Sequence, residues 1–395
     1  MFIVFRAGTH IPVPGVNASV IEQLFRSGNL FGLLDMFSGG ALSKFSIFAM
    51  SITPYINASI ILQLLKVVVP TLEQWSKEGE EGFKKTTKLT RMLTVALAFI
   101  QACGMAYGLK MAINNPGIFS ILLIAITLTA GTVFLMWIGE QITARGVGNG
   151  ISLIIFAGIV SRLPDGLKVI FQYLQAGTVS LLNVILFAAI ALAMVVFVII
   201  ISEGIRKIPV QYAKRVVGKK AYGGHTSYIP LKVNQAGVIP IIFASCILYF
   251  PAQLAALFNV GWLTTFADAI STGWINWILT ILLIVFFAYF YTSMVFNPED
   301  TASNIQKQGG FIPGIRPGKA TVDYIRSVIR HITLPGGVFI AAIAVVPTII
   351  FFFTGNNLVQ AFGGTSILIM IGVALDTMAK VDSQLREYNY DGFFK

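Results

Sequence analysis

"ARGVGNGISLIIFAGIVSRLPDG", Ala144 to Gly166, is the stretch on which the fold turns. Its uncharged run, Ile151 to Val160, has ten residues, whereas a helix that crosses a bilayer needs roughly 17 to 25 mostly apolar residues. Every later segment changes side according to whether this run crosses. "GVGNGIS", Gly146 to Ser152, has a superficial likeness to a phosphate loop. It lacks the GxGxxG spacing and a preceding strand, so it reads as a tight turn that starts a helix. With that turn included, Gly146 to Leu163 helps to fill the bilayer.

The rest of the chain supports a bilayer as its solvent. Hydrophobic residues make up 56% of the 395, charged residues 11%, and the mean hydropathy is +0.79, outside the range of soluble domains. Eight further windows lack Asp, Glu, Lys and Arg: Phe45–Leu65, Met92–Leu109, Ile118–Gly139, Val179–Ser202, Ala236–Leu257, Trp274–Phe296, Ile332–Phe353 and Leu358–Leu375. Most have helical length, and the alternation of a membrane β-barrel is absent. The fold class is all-α, a polytopic helical membrane bundle. Met1–Phe5 is apolar but ends at Arg6 and Gly8, and is expected to be the tail of a first span that is mostly missing.

Charge placement settles the short run. Of the 28 Lys and Arg residues, 22 fall in alternate loops: 66–91, Arg145, 206–232, 307–330 and 380–395. The positive-inside rule makes this set cytoplasmic. The asymmetry survives only if Ile151–Val160 crosses. Pro164–Gly177 is then an external connector, with Leu167–Leu174 in the interface. The net charge of +11 therefore reflects topology and not DNA binding.

Several chemistries are excluded. Ion-coupled transporters hold ionisable groups near the midplane, and the nine windows contain no Asp, Glu, Lys or Arg. Glu140 and Asp376 sit at span ends, where interfacial partners explain them. No HExxH or GxSxG occurs, so the chain is not read as an enzyme. Cys103 and Cys246 lie in different windows without metal-ligand spacing and read as inert thiols. His10, His225 and His331 take structural or solvated roles, and no metal or cofactor is expected.

Two of the cytoplasmic loops exceed what topology needs. In the first, Ile208–Val217 and Tyr222–Val233 are rich in β-branched and aromatic residues around a Gly-Lys-Lys turn, which predicts a basic β-hairpin. The second, "NPEDTASNIQKQGGFIPGIRPGKATVDYI", reads as a rigid, irregular loop exposing Arg316. Two ordered basic loops on one face make a docking platform for a large partner.

The stretches "GTHIPVPGV" (Gly8–Val16), "DMFSGGALSKFSIFAMSITPYINASIILQLL" (Asp35–Leu65), "FLMWIGEQITARGVGNGISLIIFAGIV" (Phe134–Val160), "LKVNQAGVIPIIFAS" (Leu231–Ser245), "GFIPGIRPG" (Gly310–Gly318) and "FGGTSILIMIGVALDTM" (Phe362–Met378) resemble the SecY family of bacterial translocon channels. The resemblance runs from Gly8 to the end. It implies ten spans in two inverted halves, 1–163 and 179–395, hinged at the connector 164–178. Where this family begins with a cytoplasmic amphipathic segment and a complete first span, both are largely absent here.

That resemblance also implies roles for residues. Phe31–Ser43 is similar to a plug, a short helix folded into the external funnel, with Phe31, Leu34, Asp35, Met36, Phe37, Ser38, Gly39, Gly40, Leu42 and Ser43 its residues. An apolar surface from Leu33 to Leu42 suits a funnel, and Gly39–Gly40 provides a permissive joint. The pore ring falls on Ile52, Ile56, Ile155, Ile159, Ile242 and Ala374, with Ile371 as the alternative sixth member. The two spaced pairs each face one direction from a helix. The lateral gate carries Gln63 and Asn234, a hydrogen-bonded cluster at the cytoplasmic end, and Phe250 near the external end. Arg206, Lys207, Lys214, Arg215 and Arg316 are the docking contacts.

The implied function is a protein-conducting channel in the bacterial plasma membrane, for unfolded secretory polypeptides and for lateral release of membrane segments. The implied partners are SecE, SecG, SecA or a ribosome, a signal sequence and the lipid bilayer. Two rivals are a secondary transporter for a neutral solute, which predicts a midplane cavity with convergent polar groups, and an intramembrane scaffold or insertase without a pore.

Overall fold

The computed structural model describes residues 1–17, 20–21, 38–115, 117–177, 179–212, 215–217, 220–222, 226–258, 261–271, 273–354 and 364–391. A short helix, α1 (Phe2–Gly8), opens the chain. The N-terminal group continues with α2 (Thr53–Val68), α3 (Pro70–Lys77), α4 (Glu80–Gly108), α5 (Ile118–Arg145) and α6 (Gly150–Gln175). After α7 (Leu181–Glu203) come strands β1 (Ile205–Tyr212), β2 (Arg215–Val217), β3 (Lys220–Tyr222) and β4 (Thr226–Lys232). Then follow α8 (Ile239–Phe258), α9 (Gly261–Ser271), α10 (Gly273–Val295), α11 (Pro298–Lys307), β5 (Gly310–Phe311), α12 (Lys319–Thr354) and α13 (Gly364–Asp391).

Each of the nine apolar windows holds a helix. By length and composition α4, α5, α7, α10 and α12 can each cross a membrane, and α2 with α3 qualifies as one pair bent by 104°. The remaining three windows are occupied by α6, α8 and α13. The exposed apolar side chains of α7, such as Leu182, Ile185 and Leu192, suit contact with lipid, where no water competes for backbone hydrogen bonds.

Two windows differ in detail from expectation. The window Phe45–Leu65 is not helical throughout: Phe45 and Ser51 have positive φ, and the helix begins at Thr53. Pro54 sits in its first turn, where a missing N–H costs nothing and a preset φ starts the helix. The short run that decides the topology belongs to a 26-residue helix that continues through Pro164 to Gln175. Most of the connector is thus helical. Ile170 is buried there beside Val179 with Tyr173, Leu174 and Phe187, which gives the extension an apolar face to cover.

Helix contacts sort into two groups. In the first, α2 packs on α4, α4 on α5 and α5 on α6; in the second, α8 packs on α10, α10 on α12, and α13 on both α12 and α7. Two seams join them. At one, α8 meets α2 and α4; at the other, α13 meets α6.

The hairpin predicted from the loop composition is present. β1 pairs antiparallel with β4 from Ile205↔Lys232 to Gln211↔Thr226, and β2 pairs with β3 beyond it. β5 adds to the other edge of β1, giving the order β4-β1-β5. Side chains alternate as a half-buried strand requires: Ile208 and Val210 are buried, while Pro209 and Gln211 are exposed. The second loop differs from expectation because it contains α11. Asn297 caps that helix by accepting from the Glu299 N–H at 3.0 Å, with Pro298 next and Glu299 and Asp300 in the first turn, all favourable at a helix start. Ala302 and Ile305 of α11 join Ile208, Val210, Leu231, Ile312 and Ile325 in one small core. The two basic loops are therefore one folded unit at this end of the bundle.

Candidate functional site: buried isoleucines between two helix groups

Of the five helices that meet across the seams, four, α2, α6, α8 and α13, carry ring candidates. Ile52 caps α2 and Ile56 follows one turn later; Ile155 and Ile159 are one turn apart on α6; Ile242 is on α8. All five are buried, between 1% and 9% exposed, and all belong to one contiguous apolar cluster. On α13 the cluster takes Ile371, whereas Ala374 is half-buried and lines a cavity of about 370 Å³ with Leu153, Phe156, Thr377 and Met378.

Local sequence explains why α6 points its isoleucines inward. Asn149 caps the helix, its Oδ1 accepting from the Ile151 and Ser152 N–H groups at 3.1 and 3.4 Å. The Thr143 hydroxyl donates to the Gly139 carbonyl and accepts from the Gly150 N–H, both at 2.9 Å, tying the end of α5 to the start of α6. Gly150 is required for this approach, because a Cβ there would overlap the Gly139 carbonyl oxygen. At the same end Arg91 of α4 donates from Nε and Nη2 to both oxygens of Glu140 on α5, each at 2.8 Å. This bidentate pair supplies the interfacial partner expected for Glu140.

Of the plug candidates, Phe31, Leu34, Asp35, Met36 and Phe37 lie outside the described residues. Ser38 to Ser43 form a turn in which Gly39 and Gly40 have φ of +66° and +85°. Leu42 is buried, the Ser38 hydroxyl accepts from its N–H at 3.2 Å, and the Ser43 hydroxyl donates to the Gly40 carbonyl at 3.1 Å. The turn rests on α6: a Cβ on Gly39 would stand 3.0 Å from the Gly158 Cα.

The lateral-gate candidates do not form the expected pair. Gln63 donates to the Ser59 hydroxyl of its own helix at 3.2 Å, and among the described residues its buried Oε1 has no partner. Asn234 instead lines a small cavity with Val198 and Ser202 of α7, Ile340 of α12 and Gly372 of α13. The chain leaves β4 beside α7, and the Val233 N–H donates to the Gly204 carbonyl at 2.8 Å, which holds Asn234 inside the second helix group. The neighbouring Gln235 carries a buried Oε1 that also lacks a described partner. Phe250 is half-buried on α8, immediately before Pro251.

Among the docking candidates, Arg206 and Lys207 are exposed at the start of β1, and Arg316 is exposed in the turn after β5. Arg215 is on β2; Lys214 lies outside the described residues. The contacts of Arg6, described below, and the Arg91–Glu140 pair were not read from sequence. An isolated arginine beside an apolar run signals only that the run has ended.

Comparison with known proteins agrees with this architecture. The chain is 49% identical to the protein translocase subunit SecY of Halalkalibacterium halodurans, covering 100% of this chain and 95% of that one. It is 47% identical to the subunit of the same name from Bacillus subtilis, with 100% and 94% covered. Among solved structures, one described as a protein conducting channel has a TM-score of 0.70 at 19% identity, covering 98% of this chain and 90% of that one. Sec61 in a canine ribosome-channel complex gives 0.65 at 17% identity, with the same coverage. The family model for SecY matches residues 46–378, and with relatives this similar over its whole length the chain belongs to the SecY family.

Proposed function

We propose that this chain is the channel subunit of a bacterial protein translocase in the plasma membrane. Unfolded polypeptide passes between the two helix groups, and hydrophobic segments leave sideways into lipid through the seam of α2 and α4 against α8. The observation that carries this reading is the burial of five isoleucines from α2, α6 and α8 in one cluster where the groups meet. A route for many different sequences needs walls with no preferred polar partner. A narrow apolar collar expels water and blocks ions when empty, yet yields to a passing chain because no single contact is strong. Ile371 completes the collar more readily than Ala374, since its side chain is the one in the cluster.

The turn Ser38–Ser43 and the segment before it act as the plug, and the connector at 164–178 as the hinge. Loops 66–91, 206–232 and 307–330 face the cytoplasm by the positive-inside rule. Their folded sheet and α11 present Arg206, Lys207 and Arg316 to a motor: SecA, or a translating ribosome. Docking supplies the driving energy from outside the chain, and SecE and SecG complete the complex. Gln63 and Phe250 line the seam.

Deleting residues 31–43 and recording conductance across planar bilayers tests the reading. A plugged channel responds with transient ion-leak events. A membrane that stays as tight as with the unaltered chain contradicts it.

A further inference from the structure

We propose that Arg6 is a positioning residue of the closed channel: its guanidinium latches the plug's turn to α6 beside the constriction. The inference rests on the channel reading above and names a residue through which that closure is held. Arg6 Nη1 donates to the Gly39 carbonyl at 3.0 Å and to the Ser161 hydroxyl at 3.2 Å. Ser161 in turn donates to the Gly158 carbonyl at 2.8 Å. Gly158 and Ser161 flank Ile159, so the contact lies within one turn of two collar residues.

Each component suits a latch. Gly39 has a left-handed φ of +66°, and a Cβ on it would stand 3.0 Å from the Gly158 Cα and 3.3 Å from the Gly158 carbonyl oxygen, so its absence lets the turn lie close on α6. A side chain there would crowd the Gly158 backbone and strain the left-handed turn. The arginine is carried on a fixed base, because Phe5 is 2% exposed and stacks on Phe48 with ring centroids 6.3 Å apart. Gly8 faces the same Phe48 ring so closely that a Cβ would overlap it. The Arg6 carbonyl accepts from the Thr9 hydroxyl at 2.7 Å, which closes the end of α1.

The bond from Arg6 is charge-assisted on one side only. Such bonds are stronger than neutral ones, but the Gly39 carbonyl accepts water equally well once the turn moves. The latch therefore biases closure without locking it. A guanidinium serves both acceptors in one plane, whereas a lysine ammonium offers compact point-charge donors on a different stem.

The test uses the complete translocase carrying this chain, in planar bilayers, scored by the frequency of ion-leak events. Arg6→Ala is expected to raise that frequency by about ten-fold, the scale set by losing one charge-assisted hydrogen bond, and Arg6→Lys to rescue part of the effect. In a background lacking residues 31–43, Arg6→Ala is expected to add nothing, because its partner is gone. A silent Arg6→Ala overturns the proposal, as does an equal increment in both backgrounds, which would mean that Arg6 acts on the bundle as a whole. If Arg6→Ala does not assemble, Gly39→Ala breaks the same contact from the other side; a leak supports the latch and a tight channel overturns it. A tight channel after the deletion alone defeats the channel reading itself, and the latch with it.

Discussion

An asparagine in place of Ile155 puts an amide into an apolar cluster and, in the proposed channel, changes the collar from a water-expelling surface to one that water can bridge. A buried polar group without a partner costs about 1–3 kcal/mol, so Ile155→Asn is expected to lower thermal stability and raise resting ion conductance together. Ile155→Val keeps the surface dry and is expected to leave conductance near that of the unaltered chain. Conductance and melting measured on both variants separate dryness from packing. The five buried isoleucines were legible only through resemblance to a family, since an isoleucine in a chain this apolar looks the same whether it faces lipid, core or pore. Gln63 and Asn234 are not hydrogen-bonded to each other in the structure, which sequence could not show for a related reason. Sequence showed that both lie near span ends, but only the course of the chain from β4 past Gly204 turns Asn234 toward α7.

The folded loops make a second, local prediction at the level of elements. Ile208 is 2% exposed in the core shared by β1, β4, α11 and the start of α12, so Ile208→Ala is expected to cost about 2–4 kcal/mol. Asn297→Ala removes a helix cap and is expected to cost about 1 kcal/mol. Hydrogen exchange should then accelerate in β1, β4 and α11 while α4 and α5 stay protected; loss of protection throughout would contradict a separate platform. The hairpin was legible because β-branched and aromatic runs flank a Gly-Lys-Lys turn. Asn-Pro-Glu-Asp at the start of α11 carried a cap signal too, but the glycines and prolines that follow drew the reading toward an irregular loop. A strand as short as β5 has no periodicity to find, and its pairing with Gln211 and Tyr212 joins residues about a hundred positions apart. Proline in a helix interior usually breaks it, yet α6 runs on through Pro164, where Ile170 and its neighbours find an apolar cover.

Across the whole molecule two helix groups touch along two seams, and the proposed collar lies among α2, α6, α8 and α13. Composition was enough to read the helices, because length and hydropathy are additive along a chain, and charge placement adds the crossing of the short run as an expectation. The seams are long-range contacts and left no additive trace. A channel reading requires that a polypeptide in transit touch Ile56, Ile155 and Ile242 at once and stay away from lipid-facing positions such as Leu186, which is 51% exposed on α7. The decisive measurement places a photo-crosslinking amino acid at each of these four positions in turn and arrests a secretory polypeptide halfway through. The account predicts adducts from Ile56, Ile155 and Ile242 and none from Leu186; equal labelling from Leu186, or labelling from only one of the three isoleucines, would contradict it.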